Sequence, residues 1–189
     1  VSEVRRRSRL IQNGLTFARS AERRLALNSS PGVIDEQVAE VIEQFRPSVE
    51  EKHVEVRLHA DAPAPVRFDR DLCGQILGNL IGNVEKYASG GGRLQINSLQ
   101  ETKDGSITTI IEILDRGPGI AAEEREKIFQ PFYRISSKLS DGATGTGIGL
   151  AIARDLAWRH GGDLVLLPET NGAAFRLTLE TPPAQGEIT

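Results

Sequence analysis

The stretch GNLIGNVEKYA, residues 78–88, combines a helical spacing of apolar residues with two glycines and two asparagines. Glycine costs about 1 kcal/mol relative to alanine inside a helix, and asparagine is also a weak helix former. At about 100° per residue, Asn79, Asn83 and Lys86 fall in one narrow stripe on the shoulder of the apolar face. We interpret the stretch as the end of a helix, from about Asp69 to Ala88, whose polar stripe faces a cavity.

Gly78 and Gly82 form a second stripe beside the polar one. Without a Cβ atom, these positions would let a ligand or another backbone come close. The alternative is a surface helix whose asparagines and lysine are merely solvated and whose glycines are tolerated by packing. The helix alone does not decide between the two interpretations.

Apolar spacing and turn residues divide the 189-residue chain into helices and strands. A charged helix is predicted at residues 3–27, and the Asn28–Gly32 stretch after it is the candidate domain boundary. The other predicted elements are helices at 35–51 and 148–160, strands at 53–60, 93–100, 107–115, 163–168 and 173–180, and a hairpin turn at 103–105. These blocks predict an α+β fold, a two-layer sandwich in which helices cover one face of a mixed, mostly antiparallel sheet.

Composition narrows the class of protein. With 39% hydrophobic residues, 26% charged residues and a net charge of −3, the chain is typical of globular domains and carries no sign of nucleic-acid binding. A single cysteine, Cys73, allows no internal disulfide, and we expect it to be buried as a small apolar residue. No apolar run is long enough for a membrane span. The chain starts at Val1 within a helical pattern, so we interpret it as part of a longer protein.

Two glycine-rich stretches carry further chemical signals. DRGPGI, residues 115–120, places a carboxylate at the end of an apolar strand. A buried carboxylate only accepts hydrogen bonds, so it suits the exocyclic amine of adenine and rejects the oxygen of guanine. GTGIGLAIA, residues 145–153, opens a helix whose free N–H groups and dipole suit phosphate oxygens. It matches neither a Walker loop nor a Rossmann fingerprint, and each stretch taken alone is more often a turn without a ligand.

Taken together and in this order, the motifs resemble the catalytic and ATP-binding domain of sensor histidine kinases. The fold of that domain, the Bergerat fold, is shared with gyrase and the heat-shock chaperone ATPases. Asn79–Tyr87 is similar to the family's N-box, Asp115–Ile120 to its first glycine box, Phe129–Arg134 to its F-box and Gly145–Leu150 to its second glycine box. The resemblance covers about residues 33–180.

The resemblance implies a role toward Mg²⁺-ATP for each of these positions. Asn83 would supply an oxygen ligand to Mg²⁺, while Asn79 and Lys86 would face the phosphates. Tyr87 would pack along the adenine, and Asp115 would accept a hydrogen bond from its amine. The other implied nucleotide contacts are Gly117, Gly119, Ile120, Gly145, Thr146, Gly147, Ile148, Gly149, Leu150 and Arg134, the last when a lid at about 121–144 closes.

The residue at position 79 bears on whether ATP is hydrolysed. Hydrolytic relatives carry a water-activating Glu one helical turn before the metal-binding Asn, whereas this chain has Asn79, which cannot take a proton at neutral pH. Glu85 is no substitute because it lies on another side of the helix. The resemblance therefore implies that the γ-phosphate goes to another acceptor.

In sensor kinases the acceptor is a histidine on a two-helix dimerisation domain. None of His53, His59 and His160 lies in a matching motif, so we expect the acceptor to lie upstream of this chain. Residues 1–30 resemble the second helix of that dimerisation and phosphotransfer domain, which leaves residues 31–189 as the catalytic domain.

We therefore predict a histidine kinase catalytic domain that uses ATP and Mg²⁺. Its expected partners are its own dimerisation and phosphotransfer domain and the receiver domain of a response regulator, within a homodimeric full-length protein. We expect a cytoplasmic domain with no membrane contact of its own, and a membrane anchor elsewhere in the protein stays open. The alternatives are a degenerate nucleotide-binding regulatory module, against which the intact Asn83, Lys86 and Asp115 argue, and a serine kinase that acts on an anti-sigma partner, against which the N-terminal helix argues.

Overall fold

The computed structural model describes residues 27–135, 145–168 and 171–184. The helix predicted at 3–27, apart from its last residue, and the lid residues 136–144 lie outside the described residues. The strands are β1 (Ser30–Gly32), β2 (Glu55–Asp61), β3 (Val66–Phe68), β4 (Arg93–Lys103), β5 (Ser106–Asp115), β6 (Asp163–Leu167) and β7 (Ala174–Glu180). The helices are α1 (Ile34–Glu51), α2 (Arg70–Asn83) and α3 (Gly149–Arg159).

Five strands form the main sheet, in the order β2-β4-β5-β7-β6. Among these strands, β2 and β4 pair in parallel and every other neighbouring pair is antiparallel. Asp104 and Gly105 connect β4 to β5 with φ angles of 51° and 77°. Positive φ at both central residues is typical of the two-residue hairpin turn that Asp-Gly favours. The predicted hairpin and the mixed, mostly antiparallel sheet are confirmed.

The helices cover one face of this sheet. Along β4 and β5 every second residue is buried, as in Leu94, Ile96, Ile111 and Ile113, which are each at most 1% exposed. Helix α2 packs against both α1 and α3, and all three contribute to the same apolar core. Burying one such side chain contributes about 1.5–3 kcal/mol, so this core is the main source of stability. The predicted α+β sandwich with helices over one face is confirmed.

The start of α2 is tied to the chain that enters the domain. Asp69 is only 6% exposed, and its Oδ1 accepts a hydrogen bond from the Leu72 backbone N–H at 3.0 Å. Its Oδ2 accepts a second from the Asn28 backbone N–H at 2.8 Å. Next to this contact, β1 pairs antiparallel with β3. The part of the predicted boundary from Ser30 to Gly32 is therefore held against the strand that leads into α2.

The end of the predicted helix at Asp69–Ala88 differs from the expectation. Helix α2 ends at Asn83, and Val84–Ala88 continues as a π-helical turn. A π turn bonds residue i to i+5 and inserts an extra residue into the helical ladder, often at a functional site. The side chains after Asn83 therefore point in directions that a regular 3.6-residue period does not give.

The surroundings of Gly78 also differ from the expectation. A Cβ atom added there would find only the Phe45 ring of α1, at 4.0 Å, within its neighbourhood. Neither a ligand nor another backbone is seen beside Gly78; the neighbour is a side chain of α1, at the contact between α1 and α2.

Two expectations from composition concern Cys73 and membrane spans. Cys73 is fully buried, and burial raises the pKa of its thiol to about 12, so it is an inert part of the core. Within the described ranges, no helix has the length and apolarity to cross a bilayer.

Replacing Asp69 with Ala tests the anchoring of α2. The variant loses the N-cap bond to Leu72 and the bond to Asn28, and we expect the free energy of unfolding to fall by about 2 kcal/mol. Urea denaturation measures the change. The control is Asp71→Ala, an exposed carboxylate in the same turn, which should change stability by no more than about 0.5 kcal/mol. Equal effects of the two substitutions would contradict the assignment.

Candidate nucleotide-binding site

Asp115, the last residue of β5, is the fixed point of the candidate site. The residue is only 8% exposed. Its Oδ1 atom accepts hydrogen bonds from the backbone N–H groups of Gly117 at 2.8 Å and Ala173 at 3.1 Å. The Asp115 backbone N–H donates in turn to the Ala173 carbonyl at 2.9 Å. Because both bonds end on Oδ1, the carboxylate is held in one orientation and Oδ2 takes part in neither.

Burial raises the pKa of the Asp115 carboxyl above its ordinary value of 3.8, and the two backbone donors oppose this shift. The group is thus a partly desolvated acceptor whose second oxygen can receive a hydrogen bond from a ligand. Such an oxygen discriminates strongly between a donor and an acceptor on the ligand, because a mismatched pair leaves a buried polar group unsatisfied.

The glycines of the first glycine box are required by the protein's own backbone. A Cβ atom on Gly117 would lie 2.6 Å from the Ala88 Cβ, closer than packed carbon atoms come. Gly119 has a φ of 74°, and a Cβ there would lie 3.0 Å from the Gly172 carbonyl oxygen. The first glycine box therefore packs closely against the π turn on one side and against the residues just before β7 on the other.

Two further glycines at the site were missed in the sequence. A Cβ atom on Gly91 would lie 2.0 Å from the Arg116 carbonyl oxygen, and one on Gly172 would lie 1.9 Å from the Asp115 carbonyl oxygen. Gly91 follows the helix predicted to end at Ala88, and Gly172 precedes the strand predicted at 173–180. Both signals were present in the sequence, but only the fold shows that these glycines let two loops touch Asp115–Gly117.

The second glycine box meets the N-box helix. Gly149 opens α3, and a Cβ there would lie 3.3 Å from the Asn79 Oδ1 atom. A Cβ on Gly145 would lie 2.9 Å from the Tyr87 hydroxyl. Gly147 has a φ of 71°, which favours glycine. The predicted residues Asn79 and Tyr87 are thus brought to the glycine loop, at the positive end of the α3 dipole.

The remaining predicted contacts divide into exposed and packed side chains. Lys86 and Thr146 are exposed, Asn83 is half-buried, and Tyr87 is 39% exposed. In contrast, Ile148 belongs to the apolar core, and Ile120 and Leu150 pack against it. These three side chains are thus part of the packing around the site. Their predicted contacts with a nucleotide would come from their backbone and from the exposed part of the side chain.

The F-box joins the second glycine box through its backbone. The Phe132 N–H donates to the Gly147 carbonyl at 2.9 Å, and the Phe132 ring is 66% exposed. Phe129 is buried and packs edge-to-face on Phe175, with ring centroids 6.4 Å apart. Arg134 is exposed near the end of the described part of the predicted lid.

Arg154 of α3 connects the base of the F-box to the end of its own helix. Its guanidinium lies 4.7 Å from the Phe129 ring centroid and 5.3 Å from that of Trp158, distances typical of cation–π contacts. The same group pairs with Glu126 and Asp163, each at 3.1 Å. The Trp158 Nε1 donates to Asp163 at 2.8 Å. The two aromatic rings and two carboxylates thus hold one cation.

The family model for histidine kinase-, DNA gyrase B- and HSP90-like ATPases matches residues 68–183, more than half of the chain. The chain belongs to this family. The Burkholderia pseudomallei sensor protein IrlS is 35% identical over 164 residues, which are 86% of this chain and 34% of IrlS. The Bacillus subtilis sensor histidine kinase WalK is 30% identical over 86% of this chain and 26% of WalK. The chain therefore spans about a third or less of these relatives.

Solved structures support the same relationship. Full-length ShkA in complex with AMPPNP superposes with a TM-score of 0.78 at 27% identity, covering 94% of this chain and 36% of ShkA. The Acinetobacter baumannii histidine kinase AdeS gives a TM-score of 0.74 at 25% identity, covering 95% of this chain and 80% of the AdeS chain. The resemblance to sensor histidine kinases inferred from the four motifs is confirmed, as is the fold.

The close approach of Gly91 to the first glycine box can be tested against its neighbour Gly90. Gly91→Ala places a methyl group on the Arg116 backbone, which no rotamer change relieves, and we expect a loss of about 3 kcal/mol in unfolding free energy. Gly90→Ala has no atom within 4 Å of the added Cβ and should be neutral to within about 0.5 kcal/mol. Urea denaturation measures both, and a neutral Gly91→Ala would contradict the described contact.

Proposed function

We propose that this chain is the ATP-binding catalytic domain of a two-component sensor histidine kinase, which donates the γ-phosphate of ATP to a histidine elsewhere in the full-length protein. The carrying observation is the Asp115 carboxylate, whose Oδ1 is held by two backbone donors and whose Oδ2 is left to read the base. Family membership and the AMPPNP complex of ShkA support an adenine nucleotide as the ligand.

In the proposed complex the base lies at Asp115 and the phosphates lie toward α3. The Asp115 Oδ2 accepts a hydrogen bond from the exocyclic amine, and the exposed ring of Tyr87 packs along the adenine. The Gly145–Gly149 loop and the first turn of α3 bind the phosphates through backbone N–H groups. Lys86 and Arg134 are exposed cations, and we assign them to the triphosphate.

The site fits Mg²⁺ that arrives with the nucleotide better than a metal held by the protein alone. In the described parts of the chain, no group of three or more His, Cys, Asp and Glu side chains could hold a metal ion. The half-buried Asn83 offers one amide oxygen, and Mg²⁺ characteristically takes its remaining ligands from phosphates and water. When bound, the ion neutralises charge on the phosphates.

Phosphoryl transfer is favoured over hydrolysis because the position one helical turn before Asn83 holds Asn79 and not a carboxylate that could activate water. Asn79 borders the start of α3 but cannot accept a proton at neutral pH. The nearby carboxylate of Glu85 is committed to α1, where it accepts a hydrogen bond from the Ser48 hydroxyl at 2.6 Å. The phosphate is thus left for another nucleophile.

We infer that this nucleophile is a histidine outside the chain. His160 is only 2% exposed, while His53 and His59 are exposed in or beside β2. Residues 1–30 would be the second helix of the dimerisation and phosphotransfer domain, residues 31–189 the catalytic domain, and the full-length protein a homodimer that relays phosphate to a response regulator. A degenerate regulatory module is not favoured, because the similar proteins IrlS and WalK are sensors or sensor kinases by name.

Asp115→Asn tests the reading of the base. Since the N–H groups of Gly117 and Ala173 hold the oxygen, the new amide would turn its NH₂ toward the adenine amine, donor against donor. We expect the dissociation constant for Mg²⁺-ATP to rise about 10- to 100-fold and the preference for ATP over GTP to shrink. Titration calorimetry measures the dissociation constant and the nucleotide preference.

The matched control is Asp104→Asn, in the exposed hairpin turn at φ 51°, which should leave the dissociation constant and the preference unchanged. Unaltered ATP affinity in Asp115→Asn would refute the assignment.

Labelling with γ-labelled ATP tests where the acceptor lies. We expect the chain to bind Mg²⁺-ATP without labelling itself, because none of its three histidines lies in a kinase acceptor motif. A form of the protein that includes the upstream dimerisation domain should acquire acid-labile, base-stable label. Label on His53, His59 or His160 of this chain would contradict the proposal, and so would an unlabelled longer form that binds ATP.

A further inference from the structure

The Glu85 cluster, which consists of Ser48, Lys52 and Glu85, joins α1 to the π turn at Val84–Ala88. The Glu85 Oε1 atom accepts hydrogen bonds from the Ser48 hydroxyl at 2.6 Å and from the Lys52 ammonium at 3.3 Å. The Lys52 ammonium also donates to the Glu85 backbone carbonyl at 2.9 Å. One cation thus binds both the side chain and the main chain of a residue inside the π turn.

The π turn is the element on which the candidate site converges. Ala88 at its end touches Gly117 of the first glycine box, and the Tyr87 hydroxyl touches Gly145 of the second. Lys86, in the same turn, is exposed. The direction of these three side chains depends on the helical register, because a π turn rotates every residue after the inserted one relative to an α-helix.

Local sequence does not specify a π turn, since the i to i+5 bonding pattern is less favourable than the regular one and needs support from its surroundings. Val84 and Ala88 are buried and anchor the inner side of the turn. The Glu85 cluster is the support on the outer side: it fixes a backbone carbonyl and a side chain of the turn from a different helix. Its groups are well placed to act, because the Glu85 and Lys52 side chains are only 20% and 37% exposed.

We propose that Ser48 and Lys52 are positioning residues for the nucleotide, acting through Glu85 to hold Val84–Ala88 in the π register that directs Lys86 and Tyr87 to the site. This proposal rests on the proposed function for its ligand, and it assigns a role in binding to a residue of α1 and to the residue that directly follows α1. The chemistry is a charge-assisted contact from one helix to the main chain of another.

Glu85→Ala removes the carboxylate and tests the proposal by two measurements. We expect the dissociation constant for Mg²⁺-ATP, measured by calorimetry, to rise about three- to tenfold, while the midpoint of thermal unfolding changes by no more than about 3 °C. In ¹⁵N spectra of Ser48→Ala without nucleotide, the amide signals of Lys86 and Tyr87, which are distant from the substitution in the sequence, should shift, and those of β6 should not. Ser48→Ala should act in the same direction, and Ser48→Thr, which keeps the hydroxyl, should retain the wild-type affinity.

Arg46→Ala is the matched control, because Arg46 lies on the same helix and pairs with Glu43 and Glu50 on its surface. It should leave the ATP affinity and the amide signals of the π turn unchanged. Unshifted Lys86 and Tyr87 signals in Ser48→Ala, an unchanged ATP affinity in Glu85→Ala, or an equal loss of affinity in Arg46→Ala would each overturn the proposal.

The two readouts separate this proposal from the proposed function. If the wild-type chain bound no Mg²⁺-ATP, the proposed function would fail. The amide signals would then still decide whether the cluster holds the register of the turn.

Discussion

The structure of the site depends on one oxygen atom. Oδ1 of Asp115 accepts hydrogen bonds from the two loops that follow and face it, at Gly117 and Ala173, and so joins the end of β5 to the start of β7. Around this point, main chain packs on main chain: Gly91 lies on Arg116, and Gly172 lies on Asp115. A site built in this way keeps its shape without relying on long side chains, whose immobilisation would cost conformational entropy.

Much of this arrangement could be predicted from local patterns, and the parts that could not share a physical cause. Asp104-Gly105 fixes its hairpin by itself, and the spacing of Asn79 and Asn83 follows from one helix. The π turn was missed because a local pattern does not contain the contacts that Glu85 makes with Ser48 and Lys52, more than 30 positions earlier in the chain. Gly91 was missed because a glycine run after a helix has a sufficient local explanation, and only the folded chain adds the contact with Arg116.

In the proposed nucleotide complex, the base end and the phosphate end of the candidate site are built differently. The base end is rigid, since the Asp115 carboxylate is fixed by backbone donors and bordered by glycines that admit no side chain. The phosphate end is formed by the start of α3, the exposed residues of the π turn and the backbone of the F-box, which meets Gly147. A fixed recognition element beside a more exposed one fits the proposed function, in which the site selects a nucleotide and its terminal phosphate is passed to a histidine elsewhere in the protein.

The contact between Arg154 and Trp158 makes the tryptophan an intrinsic fluorescence probe. Trp158 is the single tryptophan of the sequence, and its indole is bonded to Asp163 and stacked by the same guanidinium that covers Phe129 at the base of the F-box. Any displacement of Phe129 that moves Arg154 alters the charge beside the indole and, with it, the colour and intensity of the emitted light. The fluorescence of the unlabelled protein therefore reports on changes around Phe129 that reach Arg154.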